Sequence, residues 1–177
     1  MFQCALFGIT NEKFEWNCEK FTRIEKVYRN RQKVAVISVN TNYKDKNSVI
    51  FYDLPDKNKQ RTSVVSKIVK SEMNENYDSF MVSLGYSLQR TNQISGFRYL
   101  RNGYMIEISK FVKKDIVDSS EEESHEEENV PTALYKNYLV KVFVETSDVV
   151  YGEMILQKAC LDLIDVIKLI KPNLSIF

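Results

Sequence analysis

Arg98 and Glu107 are the two residues whose types and spacing could support chemistry. They flank Asn102-Gly103, a dipeptide that tolerates positive φ and therefore favours a two-residue hairpin turn of type I′. Such a turn places the guanidinium directly opposite the carboxylate, on one face of the hairpin. A carboxylate can hold a divalent cation and a guanidinium can hold a phosphate, so the pair is compatible with hydrolysis of phosphate esters. A three-residue loop with a bulge would shift the register by one and separate the two side chains.

Barrels that hydrolyse triphosphates line their interior with alternating acidic and basic side chains and share an E-x-E-x-K pattern on the first strand. The first predicted strand of this chain, over residues 2–8, reads FQCALFG and contains no acid. A matched and hydrogen-bonded ion pair can be kept inside a fold without any catalytic role. We therefore interpret Arg98 and Glu107 as a structural ion pair. The alternative is a small triphosphate-tunnel phosphohydrolase or polyphosphate-binding barrel that uses further charges inside its lumen.

Other catalytic and metal-binding patterns are missing from the sequence. The five glycines are scattered, which excludes a glycine-rich phosphate loop. The single histidine, His125, lies in an acidic stretch without a cysteine nearby, so it forms neither a zinc site nor a histidine-based triad. Cys4, Cys18 and Cys160 are odd in number and widely spaced, and we expect buried thiols in a reducing compartment. The sequence thus predicts a protein that is not an enzyme and holds no cofactor or metal.

The hairpin over residues 93–113 is the stretch around which the rest of the chain is organised, because apolar residues lie on both of its faces. Such a hairpin has little reason to border water on either face. We expect it to form a wall with an interior behind it and a covering element or a partner in front. The face that carries the ion pair also carries Ile94, Leu100, Met105 and Phe111.

The opposite face of this hairpin is the candidate partner-binding surface. It carries the aromatic and aliphatic side chains of Phe97, Tyr99, Ile106 and Ile108. Trp16 lies off the apolar stripe of a predicted helix, and it either joins this surface or packs beneath a loop. The alternative for the whole face is that the protein's own terminal helix covers it.

Hydrophobic periodicity predicts about eight strands and two helices. Besides the first strand and the two arms of the hairpin, the predicted strands are 33–40, 48–54, 62–70, 78–89 and 138–145. The predicted helices cover 12–28 and 149–171, and the second is capped by Thr146, Ser147 or Asp148. Strands joined by hairpin-length links leave no long exposed edge only if their sheet closes. We therefore predict an α+β, mainly β fold, a closed antiparallel barrel flanked by an N-terminal and a C-terminal helix.

Length and composition favour one domain over residues 1–177. The chain is 44% hydrophobic, which is enough to build a single core. With 25 basic and 24 acidic side chains the net charge is +1, so nothing favours nucleic acid or an anionic membrane as a partner, and a protein partner is expected. Neither a signal peptide nor a transmembrane stretch is predicted, and we expect a soluble intracellular protein.

Residues 118–129 read DSSEEESHEEEN and are predicted to be a disordered acidic loop within the domain. A block of like charges cannot bury enough apolar surface to stay ordered. The loop is either a solvated linker or a regulatory segment. For the second alternative, Ser119, Ser120 and Ser124 precede glutamates, a context that acidophilic kinases accept, and phosphates there could engage a basic partner.

Short segments that follow one another along most of the chain resemble the Mediator complex subunit 18 family. They are ALFG at 5–8 with the predicted helix after it, GFR at 96–98, GY at 103–104, IEI at 106–108, the acidic insertion, LVKV at 139–142, and the apolar terminal helix that ends near KP at 171–172. The stretch over 33–75 contributes little to the resemblance.

The resemblance implies both a fold and a function. Members of that family resemble triphosphate-tunnel barrels without the catalytic residues, and they belong to the head module of Mediator, the coactivator of RNA polymerase II transcription. The resemblance therefore implies a nuclear, non-enzymatic scaffold subunit that pairs with Mediator subunit 20 and binds the C-terminal helix of Mediator subunit 8. Contacts with RNA polymerase II and initiation factors, direct or indirect, are implied as well, whereas specific nucleic acid and membrane are not.

Overall fold

A computed structural model of the protein describes residues 1–10, 18–31, 33–40, 47–73, 76–112 and 138–172. These residues form antiparallel strands and two helices. The strands are β1 (Phe2–Thr10), β2 (Glu19–Arg29), β3 (Lys33–Asn40), β4 (Asn47–Asp53), β5 (Val64–Met73), β6 (Ser87–Arg101), β7 (Tyr104–Val112) and β8 (Tyr138–Thr146). The helices are α1 (Tyr77–Ser83) and α2 (Val149–Leu163). Neither described helix is long and apolar enough to cross a membrane.

The strands close into a barrel in the order β1-β5-β4-β3-β2-β6-β7-β8, and β8 returns to pair with β1. The predicted closed antiparallel barrel is therefore confirmed. Closure satisfies the hydrogen-bonding groups that an open sheet would leave at its margins. The acidic residues 118–129 and Trp16 lie outside the described residues.

The central hairpin, β6 and β7, has the predicted register. Arg98 pairs with Glu107, and Tyr99 pairs with Ile106. Asn102 and Gly103 adopt φ values of +47° and +84°, as a type I′ turn requires. Local turn chemistry therefore fixes which side chains of the two strands share a face.

Side chains alternate between the lumen and the outer surface along the strands, because the pleat has a period of two. On β8, Val142 packs outward in the cluster that includes α2, whereas Lys141 points inward and hydrogen-bonds Gln3 of β1. The paired registers continue this assignment around the ring. Each strand therefore contributes one set of residues to the lumen and another to the outer wall.

The C-terminal helix α2 covers the apolar outer wall of β1, β7 and β8. Its N-cap is Asp148, whose Oδ1 accepts hydrogen bonds from the backbone N–H groups of Val150 (2.9 Å) and Tyr151 (3.3 Å). Gly152 allows close approach, since a Cβ there would lie 2.9 Å from Sγ of Cys4. On its inner face the buried side chains are Leu156, Ala159 and Leu163.

The short helix α1 covers a second apolar patch, on the outer wall of β2, β3 and β4. Its Met81 is fully buried against Tyr28 and Ile37. The carboxylate of Asp78 accepts hydrogen bonds from the hydroxyl of Tyr28 and from Nζ of Lys26, the second at 2.7 Å. These bonds fasten the helix to β2.

The predicted N-terminal helix over 12–28 is wrong over residues 19–28, which belong to strand β2, and residues 12–17 lie outside the described residues. Apolar residues at helical spacing suggested a helix, but a bulge between Val27 and Tyr28 interrupts the alternation of this strand. The side of β2 that faces the polar lumen also carries Arg23, so neither side of this strand is uniformly apolar. A strand with a bulge and a charged inner face lacks the simple apolar–polar alternation by which strands are recognised.

Helix α1 was also missed, since residues 78–89 were predicted to be a strand. Phe80, Val82 and Leu84 recur at every second position and imitate a strand, but all three are exposed, and the buried residue of α1 is Met81. The predicted helix over 149–171 ends earlier than expected, at Leu163. The predicted strands over 2–8, 33–40, 48–54, 62–70 and 138–145 correspond to β1, β3, β4, β5 and β8.

Gly96 lies where the backbone of β7 leaves no room for a side chain on β6. A Cβ at this position would lie 2.0 Å from the carbonyl oxygen of Ile108 and 2.8 Å from Cα of Ser109, and both are backbone atoms that cannot rotate away. We expect Gly96→Ala to lower the free energy of unfolding by about 2–3 kcal/mol, the upper range for overpacking. Urea denaturation measures this loss, with Ser95→Ala as a neighbouring control expected to change it by less than about 0.5 kcal/mol. Equal stability of the two variants would contradict the close approach.

Candidate functional site

The lumen contains a cluster of charged side chains centred on Glu107, whose side chain is only 8% exposed. Its Oε1 accepts a hydrogen bond from Nη2 of Arg23 at 2.5 Å, and its Oε2 accepts bonds from Nη1 of Arg23 at 3.1 Å and Nη2 of Arg98 at 3.0 Å. Arg23 also pairs with Glu25 at 2.7 Å. Three neighbouring strands, β2, β6 and β7, therefore position one carboxylate between two guanidinium groups.

A second group of polar side chains continues the cluster toward β1, β5 and β8. Nζ of Lys141, which lies opposite Glu107 on the neighbouring strand, donates to Oε1 of Gln3 at 2.9 Å. Nε2 of Gln3 donates to Oε1 of Glu145 at 3.2 Å, and Glu145 pairs with Lys70 at 2.6 Å. Hydrogen bonds thus connect basic and acidic side chains across β8, β1 and β5.

The pKa values of these groups reflect burial and neighbouring charge. Burial alone would raise the pKa of Glu107, but the hydrogen bonds and charge of Arg23, with the charge of Arg98, hold it below its usual value. Burial lowers the pKa of Lys141, against the opposing effect of Glu107. Burial, together with the nearby carboxylates, raises the pKa of Tyr52 to about 12. The cluster therefore keeps Glu107 ionised at neutral pH.

This arrangement leaves little capacity for metal or phosphate chemistry. Glu25, Glu107 and Glu145 are each engaged by a basic side chain, and the described residues contain no group of three side chains placed to share a metal ion. A phosphate would have to displace a carboxylate from Arg23 or Arg98. The lumen is therefore neutralised by its own side chains.

The structure places the predicted pair Arg98 and Glu107 in contact, but the lumen is more polar than the sequence suggested. We expected an apolar wall with one charge pair, whereas Arg23, Glu25 and Lys141 surround it. Arg23 was missed because its strand was predicted to be a helix. The signal that could have identified it is the alternation of Phe21, Arg23 and Glu25, which all face the lumen once residues 19–29 are a strand.

Helix α2 covers one part of the outer face of the hairpin and leaves another part accessible. Ile106 and Ile108 are buried in the cluster that contains Leu156 and Leu163 of α2, so the protein's own helix covers them. Tyr99 is half-buried at the edge of that cluster, and Phe97 is half-buried beyond it. Of the predicted partner-binding residues, Phe97 and Tyr99 therefore retain partly accessible surface. The candidate phosphorylation sites Ser119, Ser120 and Ser124 and the candidate contact Trp16 lie outside the described residues.

The outer surface of α2 carries several large apolar side chains among polar ones. Large hydrophobic side chains project from it and from the turn that follows, with Met154 54% and Leu161 72% exposed. The same surface carries Val150, Tyr151 and Ile164. These five side chains define a stripe on α2, which exposed Gln157 and Lys158 interrupt between Met154 and Leu161. Exposed apolar groups of this kind occur at surfaces that contact other proteins.

Comparison with known proteins places this barrel among related folds. The sequence model of the family described as Med18 protein matches residues 8–172. The chain is similar to a chain in the structure of the Schizosaccharomyces pombe Mediator head module, with a TM-score of 0.75 and 15% identity over 97% of this chain and 99% of that one. No curated protein matches the chain.

Two archaeal proteins share the fold with lower similarity. A protein of Pyrococcus horikoshii OT3 has a TM-score of 0.62 and 9% identity over 97% of this chain and 94% of its own. A conserved hypothetical protein of Pyrococcus furiosus has a TM-score of 0.60 and 14% identity over 94% of each chain. Identities this low indicate only a common fold. The family match, in contrast, is a match in sequence, and it covers residues 8–172. The chain therefore belongs to the Med18 protein family, the family of Mediator complex subunit 18.

Proposed function

We propose that the protein is a non-enzymatic scaffold subunit of Mediator that acts in the nucleus by binding neighbouring subunits of the head module. Membership of the Med18 family and the similarity to a chain of the fission-yeast head module support this proposal. The observation that carries it is the combination of a self-neutralised lumen with an exposed apolar stripe on α2. The inside of the barrel is occupied by its own ion pairs, and the outside offers surface for contact.

The partners implied by the family are Mediator subunit 20 and the C-terminal helix of Mediator subunit 8. An amphipathic helix that is unfolded alone can order when its apolar face is laid on a complementary surface. Met154 and Leu161 provide such a surface on α2, and half-buried Tyr99 lies at the edge of the cluster beneath that helix. RNA polymerase II and initiation factors would then be contacted through the assembled head module.

The second candidate function is a triphosphate-tunnel phosphohydrolase or a polyphosphate-binding barrel. One observation favours it, namely that the lumen carries Arg23, Arg98 and Lys141 together with Glu25 and Glu107. Basic side chains could bind phosphates and carboxylates could hold a metal ion. The proposed scaffold function is preferred because these groups already neutralise each other.

Replacing the exposed stripe on α2 tests the proposed docking surface. We expect Met154→Glu combined with Leu161→Glu to weaken binding of a peptide from the C-terminal helix of Mediator subunit 8 by at least about tenfold, because a charge would have to be desolvated at an apolar contact. Calorimetric titration measures the dissociation constant. The matched control is Val82→Glu, an exposed apolar position of α1 on another part of the barrel. Unchanged affinity in the double variant with the fold intact would exclude this surface.

A phosphate-release assay distinguishes the two candidate functions. With nucleoside triphosphate and Mg²⁺ or Mn²⁺, we expect the wild-type protein and Glu107→Gln to release phosphate at the same background rate, because Glu107 is held by Arg23 and Arg98. Turnover in the wild type that disappears in Glu107→Gln would support the hydrolase instead.

Glu107 is expected to stabilise the fold. Glu107→Gln leaves two guanidinium groups without their shared carboxylate and should lower the free energy of unfolding at pH 7 by about 3 kcal/mol. The pKa of Glu107 is lowered in the fold, so its contribution is present above the unfolded pKa and is lost as pH falls through the folded value. Denaturation at several acidic pH values should therefore show a smaller pH dependence in the variant. Asp165→Asn, which replaces an exposed acid, is the control expected to retain the wild-type profile.

A further inference from the structure

Charge is distributed unevenly along this nearly neutral chain. Residues 118–129 contain seven of the 24 acids and no lysine or arginine. The other residues therefore hold 17 acids against all 25 bases, a net charge of +8. An excess of this size indicates that part of the protein's surface favours an anionic ligand.

A shallow cleft of about 380 Å³ lies at one end of the barrel, where β2 ends and β6 begins. Both of its charged residues are basic, and both are exposed. Its lining consists of Arg29, Asn30, Arg31, Gly85, Ser87 and Gln89. The hydroxyl of Ser87 donates to the carbonyl of Arg29 at 3.3 Å, and Nε2 of Gln89 donates to Oγ of Ser87 at 2.8 Å. The first bond joins the start of β6 to the end of β2, and the second orders two side chains of β6.

The positive charge of this cleft is not compensated by neighbouring acids. Neither Arg29 nor Arg31 forms an ion pair with a described residue. The acids on adjacent elements have partners elsewhere, since Asp53 pairs with Lys33 at 3.1 Å and Asp78 pairs with Lys26 at 2.7 Å. Two guanidinium groups are therefore available to a ligand.

The end of α1 does not oppose an anion in this cleft. Helix C-termini carry partial negative charge on their unpaired carbonyl groups. Here the carbonyls of Phe80, Met81 and Val82 accept hydrogen bonds from the backbone N–H groups at 84, 86 and 85. Gly85 adopts a φ of +77°, the left-handed conformation in which a helix end is capped in this way. These carbonyl groups are therefore hydrogen-bonded within the chain, which weakens the negative potential that they present to the cleft.

We propose that this cleft binds the phosphate group of a phosphorylated acidic peptide. A guanidinium binds phosphate through two parallel hydrogen bonds, and Arg29 and Arg31 supply two such groups within a cleft that has room for a phosphate and its neighbouring residues. Single-stranded nucleic acid is the less suitable ligand, because none of the described residues that line the cleft is aromatic and able to stack on a base. The site is separate from the stripe on α2, so it does not depend on the docking surface proposed above.

The chain itself contains a sequence of the required chemistry. Strand β7 runs toward the end of the barrel where β2 finishes, and its last residue, Val112, pairs with Gln93 in the middle of β6, the strand that begins beside Arg29. A synthetic peptide with the sequence of residues 118–129 and phosphoserine at the position of Ser124 is therefore a suitable probe. The ligand can come from this chain or from a partner protein, and the experiment below separates the two sources.

The test measures binding of this labelled phosphopeptide to the full chain by fluorescence anisotropy at physiological ionic strength, where non-specific attraction is screened. We expect the phosphopeptide to bind at least about fivefold more tightly than its unphosphorylated form, and Arg29→Gln with Arg31→Gln to weaken it by about tenfold. The matched control, Lys20→Gln with Arg101→Gln, removes the same charge from exposed positions at the opposite end of the barrel. This control should change the affinity by less than about twofold.

Three results would overturn the proposal. One is equal weakening in the two double variants, which would indicate general electrostatic attraction. Another is displacement of the phosphopeptide by a single-stranded oligonucleotide of the same charge at equal or lower concentration. The third is absence of binding both in the wild type and in a full-length variant whose seven acids at 118–129 are replaced by their amides.

The same variant identifies the source of the ligand. If it binds the probe more tightly than the wild type, the chain's own segment is the competing ligand; equal binding identifies a partner as the source.

Discussion

Alternation of side chains around a closed ring is the constraint on which the rest of this structure depends. Each residue of a strand points its side chain either into the lumen or to the outside of the barrel. Because the sheet is closed, it has no edge strand at which an inward-pointing charged side chain could reach solvent. Glu107 faces inward and is held between Arg23 and Arg98, which come from two other strands. Neutralising this buried carboxylate therefore requires β2, β6 and β7 to keep one register. The register of the barrel and the charge balance of its lumen support each other.

The same alternation gives the barrel an apolar outer wall that must be covered. Helix α2 covers one part of it with Leu156 and Ala159, and α1 covers another with Met81. Helix α2 differs from an ordinary surface helix because its outer side also carries large apolar side chains, with Met154 and Leu161 exposed. Helix α2 therefore covers the apolar outer wall of the barrel but exposes further apolar side chains on its own outer side.

Local chemistry determined which parts of this fold could be predicted from the sequence. The register of the central hairpin followed from Asn102-Gly103 alone, because a two-residue turn fixes every pair after it. Strand β2 could not be predicted in this way, since a bulge and a charged inner face hide its alternation. As a result Arg98 was correctly paired with Glu107, but Arg23, which lies 84 residues away from Glu107 in the chain, was missed. Contacts between strands that are distant in the chain leave no local signal.

A lumen that neutralises itself also determines where a ligand can bind. An incoming anion or cation would have to break an existing pair, and separating a buried pair leaves an uncompensated charge that costs several kcal/mol. A ligand that binds on the outer surface does not have to separate a buried ion pair. Arg29 and Arg31 have no acidic partner among the described residues, and the stripe on α2 is exposed to solvent. A phosphate-binding lumen needs the opposite arrangement, in which basic side chains remain unpaired until the ligand arrives. The ion pairs of Glu107 therefore favour recognition on the outer surface of this barrel over chemistry within it.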